Sequence, residues 1–190
     1  MRAEQLRFLD GTKARAEQGG RGMALEKALE SQHEAYLWRK IARIDHQHVP
    51  AVPVGDGKWA KVIGKSTVDY VGNAGGRFVA FDAKEEQEGR IPLARLMEHQ
   101  LEYLLDVERT GGIAFVLVRF FGERCYCIPA AAWRMAEEAA RAGHALPAKW
   151  RGLDVPATGR KSIREDALPE EWRVCGVDWL RVVDSWESRT

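Results

Sequence analysis

Asp69, Asp82 and Lys84 are the residues of this 190-residue chain whose types and spacing are suited to chemistry. They lie in Lys65-Ser66-Thr67-Val68-Asp69-Tyr70 and Val79-Ala80-Phe81-Asp82-Ala83-Lys84, two segments that read as strands. Side chains alternate along a strand, so Asp82 and Lys84 project from one face while Val79, Phe81 and Ala83 pack on the other. On the preceding strand Thr67, Asp69 and Val71 share a face. The glycine-rich stretch Gly72-Asn73-Ala74-Gly75-Gly76 predicts a tight turn and an antiparallel hairpin, which brings Asp69 beside Asp82.

Two carboxylates held this close repel each other unless one protonates or a cation sits between them. Hard oxygen ligands favour Mg²⁺ or Mn²⁺ over zinc. Such an ion lowers the pKa of a bound water from about 15.7 towards neutrality and offsets charge building on a phosphoryl oxygen. Lys84 would orient or deprotonate the attacking water, or stabilise the transition state. A DxK triplet alone is short and frequent. Its ordinary structural reading is an exposed ion pair worth about 0 to 1 kcal/mol.

The segment after the second strand, Ile91 to Leu104, opens with a proline suited to a first helical turn and continues with helical periodicity. Leu93, Met97, Gln100 and Leu104 fall on one stripe. A buried, unpaired amide on such a stripe costs about 1 to 3 kcal/mol, so Gln100 either faces the polar site or makes a structural bond to the sheet.

The ordered series Gly20-Arg21-Gly22-Met23-Ala24-Leu25-Glu26, Ser66-Thr67-Val68-Asp69-Tyr70-Val71-Gly72, Phe81-Asp82-Ala83-Lys84-Glu85, Pro92-Leu93 to His99-Gln100, Gly111-Gly112-Ile113-Ala114-Phe115 and Lys161-Ser162-Ile163-Arg164 resembles the RecU family of Holliday junction resolvases. That family belongs to the restriction-endonuclease-like PD-(D/E)xK nucleases. The resemblance runs in order from about Gly20 to about Arg181. It implies an α/β fold, with a mixed central β-sheet flanked by helices and a short stalk-like insertion. It also implies Asp69 and Asp82 as metal ligands for Mg²⁺ or Mn²⁺, Lys84 as the catalytic lysine, Thr67 and Gln100 as supporting residues, and Glu26 as a further acidic residue from the first helix. The expected substrate is a four-way DNA junction, cut by a homodimer in a bacterial or phage setting, in the cytoplasm at the nucleoid. Two departures bear on this. The second acidic position is usually Glu, and here it is Asp82. The stalk region, about residues 46 to 64, is short, which bears on junction selectivity more than on phosphodiester chemistry.

Composition fits one globular domain, with 45% of residues hydrophobic and 30% charged; the resemblance makes residues 21–190 the nuclease domain, preceded by a basic arm over 1–20. The longest apolar run, Ile113 to Val118, is too short to span a bilayer, and no signal-peptide pattern is visible. Cys125, Cys127 and Cys175 form neither a CxxC pair nor a disulfide framework, and the first two read as packing residues. This suits a reducing cytoplasm.

The net charge of +1 does not mark a nucleic-acid binder, but its distribution is uneven. Residues 1–65 hold 12 Lys and Arg against 8 Asp and Glu, and the remainder 17 against 20. Arg15 and Arg21, in a segment punctuated by glycines, read either as phosphate contacts on a mobile arm or as a frayed terminus. Lys65, Lys161 and Arg164 are the other expected DNA contacts.

Met23 to Ile44 reads as an opening helix with Leu25, Leu29, Tyr36 and Leu37 available for packing. His46 and His48 flank Gln47 in an expected loop, with no third metal ligand nearby. Ile113 to Val118 predicts a central strand covered on both faces, followed by a turn, a strand over 125–129 and a helix over 130–142 with Trp133 in the core. Residues 143–159 read as loop. Trp172, Trp179 and Trp186 read as packing residues near the end of the chain, at a terminal element or a subunit contact. Two alternatives stay open: a phage-type or general branched-DNA nuclease of the same fold, and a non-cleaving branched-DNA-binding accessory protein.

Overall fold

The computed structural model describes residues 23–47, 51–54, 59–62, 67–143, 149–155 and 161–186. Arg15, Arg21, Lys65 and His48 lie outside them. An opening helix, α1, covers residues 23–38, and β1 follows at Ala42–His46. The expected single helix to Ile44 is therefore broken, because Lys40 takes a positive φ of 57° that ends the helix and redirects the chain into a strand. Leu25, Leu29 and Tyr36 are buried as expected, whereas Leu37 is 49% exposed.

The central sheet has six strands in the order β1-β4-β5-β7-β8-β12, with β4 at Tyr70–Ala74, β5 at Arg77–Glu85, β7 at Ile113–Phe120, β8 at Arg124–Pro129 and β12 at Arg173–Val174. Only the β5–β7 pair is parallel, and the other neighbours run antiparallel. A parallel pair needs a crossover, and α2 (Glu98–Arg109) supplies it. The two strands it joins are the longest, and every residue of β7 is buried. This is the expected mixed sheet with a central apolar strand.

The β4–β5 hairpin is real, but its turn is tighter than the sequence suggested. Gly72, Asn73 and Ala74 pair within the sheet, leaving Gly75 and Gly76 as the two turn residues. Both have positive φ, 58° and 83°, the primed turn geometry that matches strand twist. Gly72 answers a different need, since a Cβ there would stand 2.0 Å from the Arg43 carbonyl oxygen of β1.

Helices cover both faces. α2 and α3 (Ala130–Ala142) touch each other and pack on β5, β7 and β8. The other face is sealed by α1 and the C-terminal segment. There the Trp179 indole donates to His33 Nε2 at 3.2 Å, and the Tyr36 hydroxyl donates to Asp178 at 2.6 Å. Burial pushes the His33 pKa down to about 4, so this imidazole is neutral near pH 7. Trp133, Trp172 and Trp179 are fully enclosed and Trp186 nearly so. The late tryptophans thus belong to this chain's own core. The α4 helix (Leu180–Ser185) closes this face.

Three small ribbons are found among the described residues. Strands β2 (Ala51–Val54) and β3 (Trp59–Val62) pair antiparallel within the expected stalk region. β6 (Arg90–Pro92) pairs with β11 (Ser162–Arg164), and β9 (Lys149–Trp150) with β10 (Leu153–Asp154) inside the expected 143–159 loop. Pro92 ends β6 and also caps a short 3₁₀ turn, but it does not open the α-helix. A 3₁₀ turn at Leu93–Arg95 intervenes before α2 begins at Glu98. No helix among the described residues is long and apolar enough to cross a membrane.

Candidate active site

In-register pairing decides where the acidic residues go. His46, Tyr70, Phe81 and Phe115 stand opposite one another on β1, β4, β5 and β7. Their rings stack face to face, with centroids 4.7, 4.8 and 4.7 Å apart in turn. This aromatic row crosses the sheet immediately beneath the site: Asp69 precedes Tyr70 and Asp82 follows Phe81. It fixes both backbones at the level of the carboxylates.

Asp82 projects to the α2 face and is completely buried. Its Oδ1 accepts a hydrogen bond from Gln100 Nε2 at 2.9 Å, and the Lys84 ammonium presses against its Oδ2. Beyond that ammonium, Oδ2 has no hydrogen-bond partner among the described residues. Lys84 also lies 3.9 Å from Asp69 Oδ2, which accepts from the Ala83 amide at 3.0 Å. Burial pushes the Asp82 pKa up to about 7. The Lys84 charge opposes that shift and the Asp69 charge adds to it.

Gln100 reaches this carboxylate from the first turn of α2. Its own carbonyl oxygen accepts from the Met97 amide at 3.0 Å, so the residue caps the helix and holds Asp82 together. The stripe assigned from sequence is only partly right. Leu93, Gln100 and Leu104 are buried, while Met97 is 57% exposed at the N-cap.

Glu26 is also brought in. Exposed on α1, it shares with Asp69, Tyr70 and Glu85 the lining of a cavity of about 50 Å³. Thr67 lies exposed two residues before Asp69. Lys161 and Arg164 sit on or beside the β6–β11 ribbon. Lys161 is exposed, whereas the Arg164 guanidinium is engaged by Asp166 through Nε at 2.8 Å and a second contact.

A wider groove of about 790 Å³ opens beside Lys84, lined among others by Glu86, Glu88, Arg90, Arg95 and Met97. Its acidic lip is countered locally. Arg95 donates to Glu86 at 2.6 Å and Arg90 to Glu88 at 2.9 Å. Arg119, 8% exposed, holds Glu85 Oε1 at 3.0 Å. Sequence reading missed these pairs. Arg119 lies opposite Glu85 only because β5 and β7 run parallel in this register, and Arg95 reaches Glu86 only because the chain turns back after β6.

The family model described as Recombination protein U matches residues 20–150. The chain belongs to the RecU family. A protein named Holliday junction resolvase RecU from Bacillus pumilus is 32% identical over 92% of this chain and 87% of its own length. The Leuconostoc citreum protein of that name is 30% identical over 88% and 82%. Among solved structures, Archaeoglobus fulgidus Hjc, described as a Holliday junction resolvase, covers 59% of this chain and 75% of its own with a TM-score of 0.39 and 18% identity. That is a distant likeness and decides nothing. The RecU match spans Glu26, Asp69, Asp82, Lys84 and Gln100, and Lys161 and Arg164 fall beyond it.

Proposed function

We propose that this protein is a structure-selective endonuclease that resolves four-way DNA junctions by divalent-metal-dependent phosphodiester hydrolysis. Family membership supports the junction substrate. The observation that carries the chemistry is a fully buried carboxylate, Asp82, fixed by Gln100 and Lys84 with Asp69 alongside. A neutral core has no use for such an arrangement, because an ionised carboxylate is costly to bury without full compensation.

The residues suit a hard divalent cation. Asp82 Oδ2 lacks a full set of partners, its pKa is raised, and a second carboxylate lies close by. Asp69 and Asp82 would hold Mg²⁺ or Mn²⁺, which when bound supplies Lewis-acid activation of water and of the phosphate. Gln100 keeps Asp82 in its rotamer. Lys84, 16% exposed and lining the groove, would meet the scissile phosphate or the attacking water from that side. Glu26, which lines the cavity beside Asp69, and Thr67, two positions before Asp69 in the chain, would be supporting residues. Arg15, Arg21, Lys65, Lys161 and Arg164 are the proposed backbone contacts that hold the DNA in register. Resolution needs two cuts on opposing strands, so a two-fold homodimer presenting two sites is the economical assembly.

The test is cleavage of a labelled immobile four-way junction and a matched duplex in Mg²⁺, Mn²⁺ or EDTA. Paired symmetric nicks at the junction, abolished by EDTA, are expected. Lys84→Ala and Asp82→Asn should keep junction binding and lose at least about a hundredfold in cleavage rate. Full activity in either variant overturns the site. Equal cutting of duplex and junction points instead to a general branched-DNA nuclease, and tight binding without cuts to an accessory protein.

A further inference from the structure

Two residues that carry buried, unpartnered polar atoms line one small cavity behind the site. Tyr70 is fully buried, and its hydroxyl has no hydrogen-bond partner among the described residues. Glu85 Oε2 is buried and equally unsatisfied, while Arg119 occupies Oε1. Both residues line the cavity of about 50 Å³ that Asp69 and Glu26 also border. A water needs about 10–15 Å³ of such space and two to four polar partners, so the cavity has room for at least one water.

Each carboxylate around the cavity already has solvent or a partner, so a neutral donor suffices there. Glu26 faces solvent, Arg119 offsets Glu85, and Asp69 is held by the Ala83 amide and lies near Lys84. Tyr70 brings a donor and the two carboxylates bring acceptors, the complement a single water requires. The stacked rings of His46, Tyr70 and Phe81 hold the phenol where it is.

We propose that this cavity holds one ordered water, which accepts a hydrogen bond from the Tyr70 hydroxyl and donates to Glu85 Oε2 and to the Asp69 carboxylate. Tyr70 is then a positioning residue: through the water it fixes the Asp69 rotamer and ties β4 to the end of β5. The catalytic part of this inference rests on the proposed role of Asp69, and the water itself does not.

Tyr70→Phe separates the cases, since it keeps the ring stack and removes only the hydroxyl. With a bridging water, the variant melts at a lower temperature than the wild type, because the water loses its donor and is held less well against Glu85 and Asp69. A dry cavity would give an unchanged or higher melting temperature, since an unsatisfied hydroxyl would have been removed. In junction cleavage well below the melting temperature, kcat should fall about tenfold at unchanged KM, the usual scale for a residue that orients a ligand. An unchanged or raised melting temperature overturns the water, and an unaltered kcat overturns the positioning role. Should the wild-type protein cut no DNA, the endonuclease reading fails while the melting comparison still decides the water.

Discussion

Gln100 joins the start of α2 to the buried carboxylate: its Nε2 donates to Asp82 Oδ1 at 2.9 Å while its Oε1 accepts from the Met97 amide at 3.0 Å. Gln100→Leu removes both bonds. A hydrogen bond to a charged group contributes about 1.5 to 3 kcal/mol and a helix cap about 1 kcal/mol. The loss depends on whether Asp82 is ionised. Urea unfolding without divalent metal should therefore show a destabilisation of a few kcal/mol at pH 8 and a smaller one at pH 5. Equal losses at the two pH values would mean that the amide acts only as a cap.

The raised pKa of Asp82 makes a second, independent prediction. Its carboxyl titrates at 3.8 by ordinary values and at about 7 in the folded chain. Between those pH values the folded state holds a proton that the unfolded state has lost, so this group's contribution to stability falls as pH rises from about 4 to about 7 and is flat beyond. In EDTA, the melting temperature should carry this downward component, and Asp82→Asn should lack it. Added Mg²⁺ should raise the melting temperature more at pH 8 than at pH 5, because only the ionised carboxylate binds it and a ligand of the native state stabilises by mass action. A Mg²⁺ shift independent of pH would place the cation elsewhere.

The difference between what sequence reading reached and what it missed is physical. Asp82 and Lys84 on one strand face follow from alternation, and the all-buried β7 follows from an unbroken apolar run, so both were legible locally. The Asp82–Gln100 bond joins residues 18 positions apart; the sequence points to Gln100 as an amide facing the polar site and, through the family resemblance, as a supporting residue, but does not name Asp82 as its partner. The Glu85–Arg119 pair, 34 positions apart, depends on the register of a parallel pair, which no local pattern encodes. Pro92 shows the converse. A proline fits a helix start and a strand end equally well, and here Pro92 serves both, ending β6 and capping a single 3₁₀ turn, so α2 starts only at Glu98.

Gly72 looked like part of the hairpin turn but serves strand packing. A Cβ at this position would lie 2.0 Å from the Arg43 carbonyl oxygen and 2.7 Å from the Ile44 Cα, both backbone atoms that cannot swing aside. Gly72→Ala must push β1 away from β4, disturbing the end of the aromatic row at His46 and the seat of α1. The expected cost is at least about 2 kcal/mol, read by chemical denaturation. Because the displaced edge lies beside Asp69, cleavage at low temperature should fall as well. A variant with wild-type stability would show that β1 does not pack this closely in solution.

Arg164 is committed within the chain, which makes the DNA contact proposed for it conditional. It lies exposed on β11 beside the groove ribbon, with Asp166 holding the guanidinium through two nitrogens. An Arg paired in this way offers a phosphate little net attraction until the carboxylate is removed or displaced. Asp166→Asn should therefore strengthen junction binding severalfold, and the slope of log affinity against log salt should steepen by roughly one, the signature of one added phosphate contact. Stability should stay essentially unaltered, since the pair is solvent-exposed and screened. Arg164→Ala should abolish the gain in the double variant. If Asp166→Asn changes neither affinity nor salt slope, the bound DNA does not pass over this ribbon, and the backbone contacts must lie on other cations of the chain.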